Sequence, residues 1–190
     1  LADTTVTSAI AVTGKAVTIV ADSKTVTTSV TDVFEAGAGA TITLGTGLAV
    51  NATSSALYAH DGGVIVVDGA TVTGTGTDYA FAYATGAGSQ INVVSGTLAK
   101  NGSNPVTLSV ANGASATISG GTVTNDSSTA VVAKTGGTIT VDGGTVSTTS
   151  NMVAGYVVTG GKITVNNGTV ESNGWCALSA IRFSHIPEPC

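Results

Sequence analysis

Aliphatic residues recur along this chain in fixed triplets. An Ile is followed two residues later by a second aliphatic, and seven residues after the first comes a third. The first column reads Ile42, Ile65, Ile91, Ala116, Ile139 and Ile163, and the second Leu44, Val67, Val93, Ile118, Val141 and Val165. The third reads Val72, Leu98, Val123, Val146 and Val170, with Ala49 a poor fit in the earliest of these turns. First-column members stand 23, 26, 25, 23 and 24 residues apart, and Val17 with Ile19 extends the series back by 25.

Inside each turn the apolar positions alternate with polar ones, the period of a half-buried strand. The five-residue step from second to third column changes the facing and holds Gly47, Ala70, Gly96, Gly121, Gly144 and Gly168 at one equivalent place. Glycine there is expected to supply a positive φ at a corner. A third apolar segment completes each turn: SALYA, DYAFAYA, PVTLSVA, STAVVA and MVAGYVV. Three short strands per turn, repeated at this period, predict an all-β parallel β-helix, a single-stranded β-solenoid of about 7–8 coils of 23–26 residues. It is expected to span residues 1–171, with regular repeats over 39–171. One coil cannot bury enough to offset the entropy of ordering it, so the array must be stabilised by stacking. Selection then holds the inward columns and lets the outward letters drift. GGTITVDGGTVS at 136–147 thus returns as GGKITVNNGTVE at 160–171.

Composition agrees with this. The 190 residues include 26 glycines, 9% charged and 4% aromatic residues, so the core is built from rows of small aliphatics. Net charge is −5 with six scattered basic residues, which excludes a nucleic-acid footprint and disfavours an anionic membrane surface. No apolar run approaches the ~20 residues of a membrane span. The opening LADTTVTSAI has no initiator Met and no signal-peptide pattern. It is expected to be a processed or excised chain.

The stretches SALYAHDGGVIVVDGATV (55–72), AVVAKTGGTITVDGGTV (130–146) and VVTGGKITVNNGTV (157–170) resemble the passenger domains of autotransporters, the pertactin-like right-handed parallel β-helices. The likeness covers roughly 39–171 and is more specific to architecture than to family. It implies a right-handed coil and an extracellular or bacterial cell-surface protein. It further implies an adhesin-like or structural scaffold without a cofactor, whose partners would be a host-cell surface, matrix or glycan. These residues hold no counterpart of the family's C-terminal translocating barrel, so a passenger fragment or a different secreted solenoid is expected.

Candidate chemistry is sparse, and the chain is read as no enzyme. A carbohydrate-active β-helix would need facing carboxylates. Asp61, Asp68, Asp78 and Asp142 are the residues to consider, but Asp68 and Asp142 precede glycine corners, where Asp caps turns. The acidic residues are too isolated for calcium repeats. His60 and His185 lie far apart and are read as solvated, and no metal is expected. Tyr79, Phe81 and Tyr83 alternate along one segment, with Tyr58 one coil below. They are a candidate ligand-contact face for stacking sugars, or alternatively core rings. Thr25/Thr27, Thr71/Thr73, Thr122/Thr124 and Thr145 flank the third column as a candidate Thr-x-Thr ladder of the ice-binding kind. The ladder is broken at Gly47/Ala49 and degraded at Ala99 and Glu171.

Residues 172–190, SNGWCALSAIRFSHIPEPC, leave the repeat phase and hold the sole Trp, both cysteines and the sole Arg. They are read as a cap or a non-native tail. A Cys176–Cys190 disulfide would pin the segment in an oxidising compartment. An uncapped end would instead permit end-to-end self-association.

Overall fold

A computed structural model describes residues 3–102 and 105–180. Among the described residues there is no helix, and the strands form two parallel sheets wound as one β-solenoid of about seven turns. Strands Ile10–Thr13, Phe34–Gly37, Leu57–Ala59, Ala80–Thr85, Val106–Ala111, Val131–Ala133, Gly155–Val157 and Leu178–Ala180 stack in that order as an eight-stranded sheet. The other sheet has thirteen strands and bends into two wings. One wing runs from Ala16–Ile19 through Thr41–Leu44, Ser115–Ile118 and Thr138–Val141 to Lys162–Val165. The second wing runs from Thr4–Val6 through Lys24–Thr28, Leu48–Ala52, Thr122–Asn125 and Thr145–Thr148 to Thr169–Ser172. In two middle coils the wings fuse into the eleven-residue strands Val64–Gly74 and Gln90–Lys100, whose pairing turns the corner through register shifts between Val93 and Ser95 and between Ser95 and Thr97.

The inward columns are as the periodicity predicts in the middle coils, while at the ends Val17 and Val165 are 36% and 38% exposed and Ile163 and Val170 are only partly buried. Ile42, Ile65, Ile91, Ala116 and Ile139 pair in register and are buried, as are Leu44, Val67, Val93, Ile118 and Val141. The third column holds Val26, Val50, Val72, Leu98, Val123 and Val146, all buried. Ala49 is not in it. Val50 pairs with Val72, while Ala49 faces outward beside Thr71. The corner of that coil has one more residue than the next, so a fixed seven-residue step lands one position short.

The glycine corners divide into two physical kinds. Gly47 and Gly96 have φ of +75° and +83°, as expected of a corner glycine. Gly121, Gly144 and Gly168 do not take a positive φ. A Cβ on them would come within 2.5, 2.4 and 2.3 Å of Val93, Ile118 and Val141 side chains in the coil below, so they are glycine for want of room.

The corner between the second wing and the eight-stranded sheet turns polar groups inward. Asn125 is fully buried, and its Nδ2 donates to Pro105 O (2.9 Å) and Thr107 Oγ1 (3.0 Å). Its Oδ1 accepts from the backbone N–H groups of Ser127 (3.0 Å) and Ser128 (2.7 Å). One coil on, Thr148 Oγ1 donates to Ser128 O (2.7 Å) and accepts from Ser150 N (3.2 Å). Turn amides that a strand ladder would leave orphaned are thereby satisfied by side chains. Lys100, also fully buried, donates to Asn101 O at 2.7 Å, and burial lowers its pKa against the opposing effect of Asp126.

Candidate functional site

The eight-stranded sheet presents one outward column whose members are set by register. Glu35 pairs with Tyr58, Tyr58 with Tyr83, Tyr83 with Ser109, Ser109 with Val132, and Val132 with Tyr156. Their neighbours Leu57, Ala82, Leu108 and Val131 point inward and are buried. Ala82 continues the Leu57–Leu108 row and Ala84 the Ala59–Val110 row, so the alanines of DYAFAYA face the core and Tyr83 faces out.

The rings form a contiguous patch. Tyr58 and Tyr83 stack with centroids 6.1 Å apart and planes inclined by 7°. Tyr79 meets Tyr83 edge-on at 6.2 Å and 76°, and is 64% exposed. Phe81 is not part of this face. It is 1% exposed and packs inward against Gly74, which corrects the expectation that Tyr79, Phe81 and Tyr83 share a surface. The physical reason is the corner. Alternation holds on a flat strand, but Phe81 sits where the chain bends into the sheet, and both it and Ala82 are enclosed. Tyr79 lies before that bend, outside the strand Ala80–Thr85.

Polar groups border the rings on both sides. Below, His60 stacks on Tyr58 (4.7 Å, 23°), with Nε2 3.0 Å from Glu35 Oε1 and Nδ1 2.8 Å from Asp61 Oδ2. Its side chain is 24% exposed, so the expectation of a solvated histidine is replaced by a half-buried, ion-paired one. Burial opposes its charge, but the hydrogen bonds to Asp61 and Glu35 outweigh this and raise the pKa. Burial, then the charges of Asp32, Tyr83, Glu35 and Asp61, raises the Tyr58 pKa. Above, Lys134 Nζ donates to Tyr79 Oη and sits 4.1 Å from the Tyr79 centroid and 5.6 Å from that of Tyr83. Lys134 lies two residues past Val132, so this contact spans the intervening strand that carries Ser109. The Ser109 hydroxyl is fully buried and has no hydrogen-bond partner.

His60, Glu35, Lys134 and Ser109 were not singled out from the sequence as members of one site. The signal was present in the third apolar segments. Aligned on Leu57, Ala82, Leu108 and Val131, the residue that follows each reads Tyr58, Tyr83, Ser109 and Val132, and the third reads His60, Thr85, Ala111 and Lys134.

The threonine ladder takes a clearer form. Thr25, Ala49, Thr71, Thr97, Thr122, Thr145 and Thr169 make one outward column, and Thr27, Asn51, Thr73, Ala99, Thr124, Ser147 and Glu171 the next. The break is therefore at Ala49/Asn51 rather than Gly47/Ala49. There the face is dented by an open depression of about 310 Å3 bordered by Thr25, Ala49 and Thr71. The other wing carries a hydroxyl column that the sequence reading did not single out: Thr18, Thr43, Thr117, Thr140 and Thr164, interrupted by Val66 and Asn92.

The carboxylates considered for catalysis are engaged locally. Asp68 Oδ1 accepts from Ser95 Oγ (2.8 Å), and Asp142 Oδ1 from Asn167 Nδ2 (3.0 Å). Asp78 accepts from Ser54 Oγ and from Ser55 N (2.8 Å), which lowers its pKa. Among the described residues, no group of three or more His, Cys, Asp or Glu could hold a metal ion. Cys190 and His185 lie outside the described residues, so the Cys176–Cys190 pairing does too.

Compared with known proteins, the chain matches no family model, no curated protein and no solved structure at significant similarity.

Proposed function

We propose that this chain is a non-catalytic, adhesin-like β-solenoid, secreted or displayed on a bacterial cell surface in the manner of an autotransporter passenger. Its partners are a host-cell surface, matrix or glycan, and its contact face is the patch built on Tyr58, Tyr79 and Tyr83. The observation that carries the reading is the concentration of rings. The chain has four tyrosines, and three of them meet on one outward face of a protein only 4% aromatic. Outward positions on a solenoid are free to be Thr, Ser or Asn, so clustered phenols there are a costly choice without a ligand. The test is adhesion of cells and of immobilised matrix and glycans to surfaces coated with the protein. Binding that falls at least tenfold in Tyr79→Ala and Tyr83→Ala supports the reading. Absence of binding to all three kinds of surface overturns it.

A second reading, ice binding, is favoured by one observation. The outward column of the second wing is threonine in six of its seven positions. Thermal hysteresis that rises in Ala49→Thr and collapses in Thr122→Tyr would establish it. No hysteresis at millimolar protein would end it.

A further inference from the structure

The patch contains a feature that packing alone does not explain. Ser109 is outward by register, yet its hydroxyl is fully buried and unpartnered, between Tyr83 on one side and Val132 on the other. A buried hydroxyl without a partner is disfavoured, and alanine would fit the same place. Across this strand runs the contact of half-buried Lys134 with exposed Tyr79.

We propose that Lys134 and Tyr79 close over a saccharide subsite that takes one neutral pyranose residue of a glycan chain. This rests on the adhesin-like reading and names its ligand class. The sugar's apolar C–H face stacks on the exposed Tyr79 ring, and the Tyr83 ring, inclined at 76° to it, forms a side wall. Its hydroxyls take the Lys134 ammonium as donor and, once that side chain swings off Tyr79, reach the Ser109 hydroxyl now buried beneath and supply its missing partner. Chemistry on the page selects this occupant over others. Peptide addition to a sheet needs a free edge, and the strands bearing Tyr58, Tyr83, Ser109 and Val132 are each paired on both sides. A polyanion is opposed by charge: Glu35, Asp61, Asp32 and Asp78 surround the rings against Lys134 and His60. A neutral ring with one apolar face and a rim of hydroxyls fits aromatic walls that carry a few polar groups.

The experiment is titration of the full chain with neutral tetrasaccharides of β-linked glucose, xylose and galactose, and with polygalacturonate as the charged counterpart. It is followed by tyrosine and tryptophan emission and by calorimetry, alongside the adhesion assay. The expected result is binding of at least one neutral tetrasaccharide, weakened about tenfold or more in Tyr79→Ala and Ser109→Ala. Ser109→Ala should at the same time melt at or above the temperature of the parent chain, which separates lost contact from lost fold. Lys134→Met tests the donor independently and should weaken binding several-fold. Failure of every neutral tetrasaccharide to bind, or unchanged affinity in all three variants, overturns the subsite. Preference for polygalacturonate overturns the neutral assignment. Adhesion that persists unchanged in the variants removes the subsite and leaves the adhesin-like reading standing. Sugar binding without adhesion does the reverse.

Discussion

Phe81 and Gly74 fill one inner corner of the solenoid between them: a Cβ on Gly74 would lie 2.1 Å from Phe81 Cε2. The ring is 1% exposed and occupies the space a side chain at residue 74 would need. In the neighbouring coils Gly74 pairs in register with Ala52 and Lys100, so the same corner is filled differently at each level.

Gly74→Ala should therefore overpack the corner and cost about 1–3 kcal/mol. Phe81→Ala should cost about 3–5 kcal/mol by leaving a cavity. The double variant Gly74→Ala with Phe81→Ala should be less destabilised than the sum, because the two residues share one volume. Urea denaturation of the four proteins, compared at constant m, checks this.

Asn125 should be intolerant of truncation. Asn125→Ala strands Pro105 O and the N–H groups of Ser127 and Ser128 in a buried turn. The expected loss is about 2–3 kcal/mol. Hydrogen exchange should show the Ser127 and Ser128 amides losing protection first, ahead of the strand Thr122–Asn125.

His60 predicts a shallow alkaline weakening. Its folded pKa is raised, so the folded state holds the proton more tightly than the unfolded chain does. The contribution is complete below about pH 6.5, the ordinary histidine value, and is lost as pH rises through the folded value. Partial exposure keeps it to about 0.5 kcal/mol or less. Melting curves between pH 5 and 8 should show this increment in the parent chain and not in His60→Gln.

Asp78 predicts the opposite limb. Hydrogen bonds from Ser54 and from the Ser55 amide lower its pKa. Its contribution is present above about pH 4 and is lost as pH falls through the depressed folded value. Ser54→Ala should move the acid-unfolding midpoint upward by about a few tenths of a pH unit, the scale expected of one partly buried hydrogen bond to a carboxylate. Acid titration by circular dichroism at two salt concentrations measures it.

The periodicity of single residues was enough to place most of the core. Ile65, Val67 and Val72, for example, follow from their spacing alone, because an inward position in a stacked coil is chosen by the coils above and below it. Corners were less legible. Val50 was missed because the corner before it has an extra residue, and Phe81 because a bend breaks the two-residue alternation that a flat strand obeys. Gly121 and Gly144 were assigned the wrong reason: crowding by Val93 and Ile118, one coil back in sequence, is invisible to a turn rule.

The site was legible only in fragments. Tyr58, Tyr79 and Tyr83 stand out in a chain poor in rings, but Lys134 is 51 residues beyond Tyr83 and joins it only because coils stack at ~4.8 Å. By itself the sequence determined the solenoid, its repeat length and its inward columns, since those depend on a local period repeated until stacking becomes favourable. The tertiary structure decided which rings reach the surface, which hydroxyl is buried without a partner, and which charges meet them. These depend on the residue count of each corner and on the register between coils, and neither is written in any one repeat.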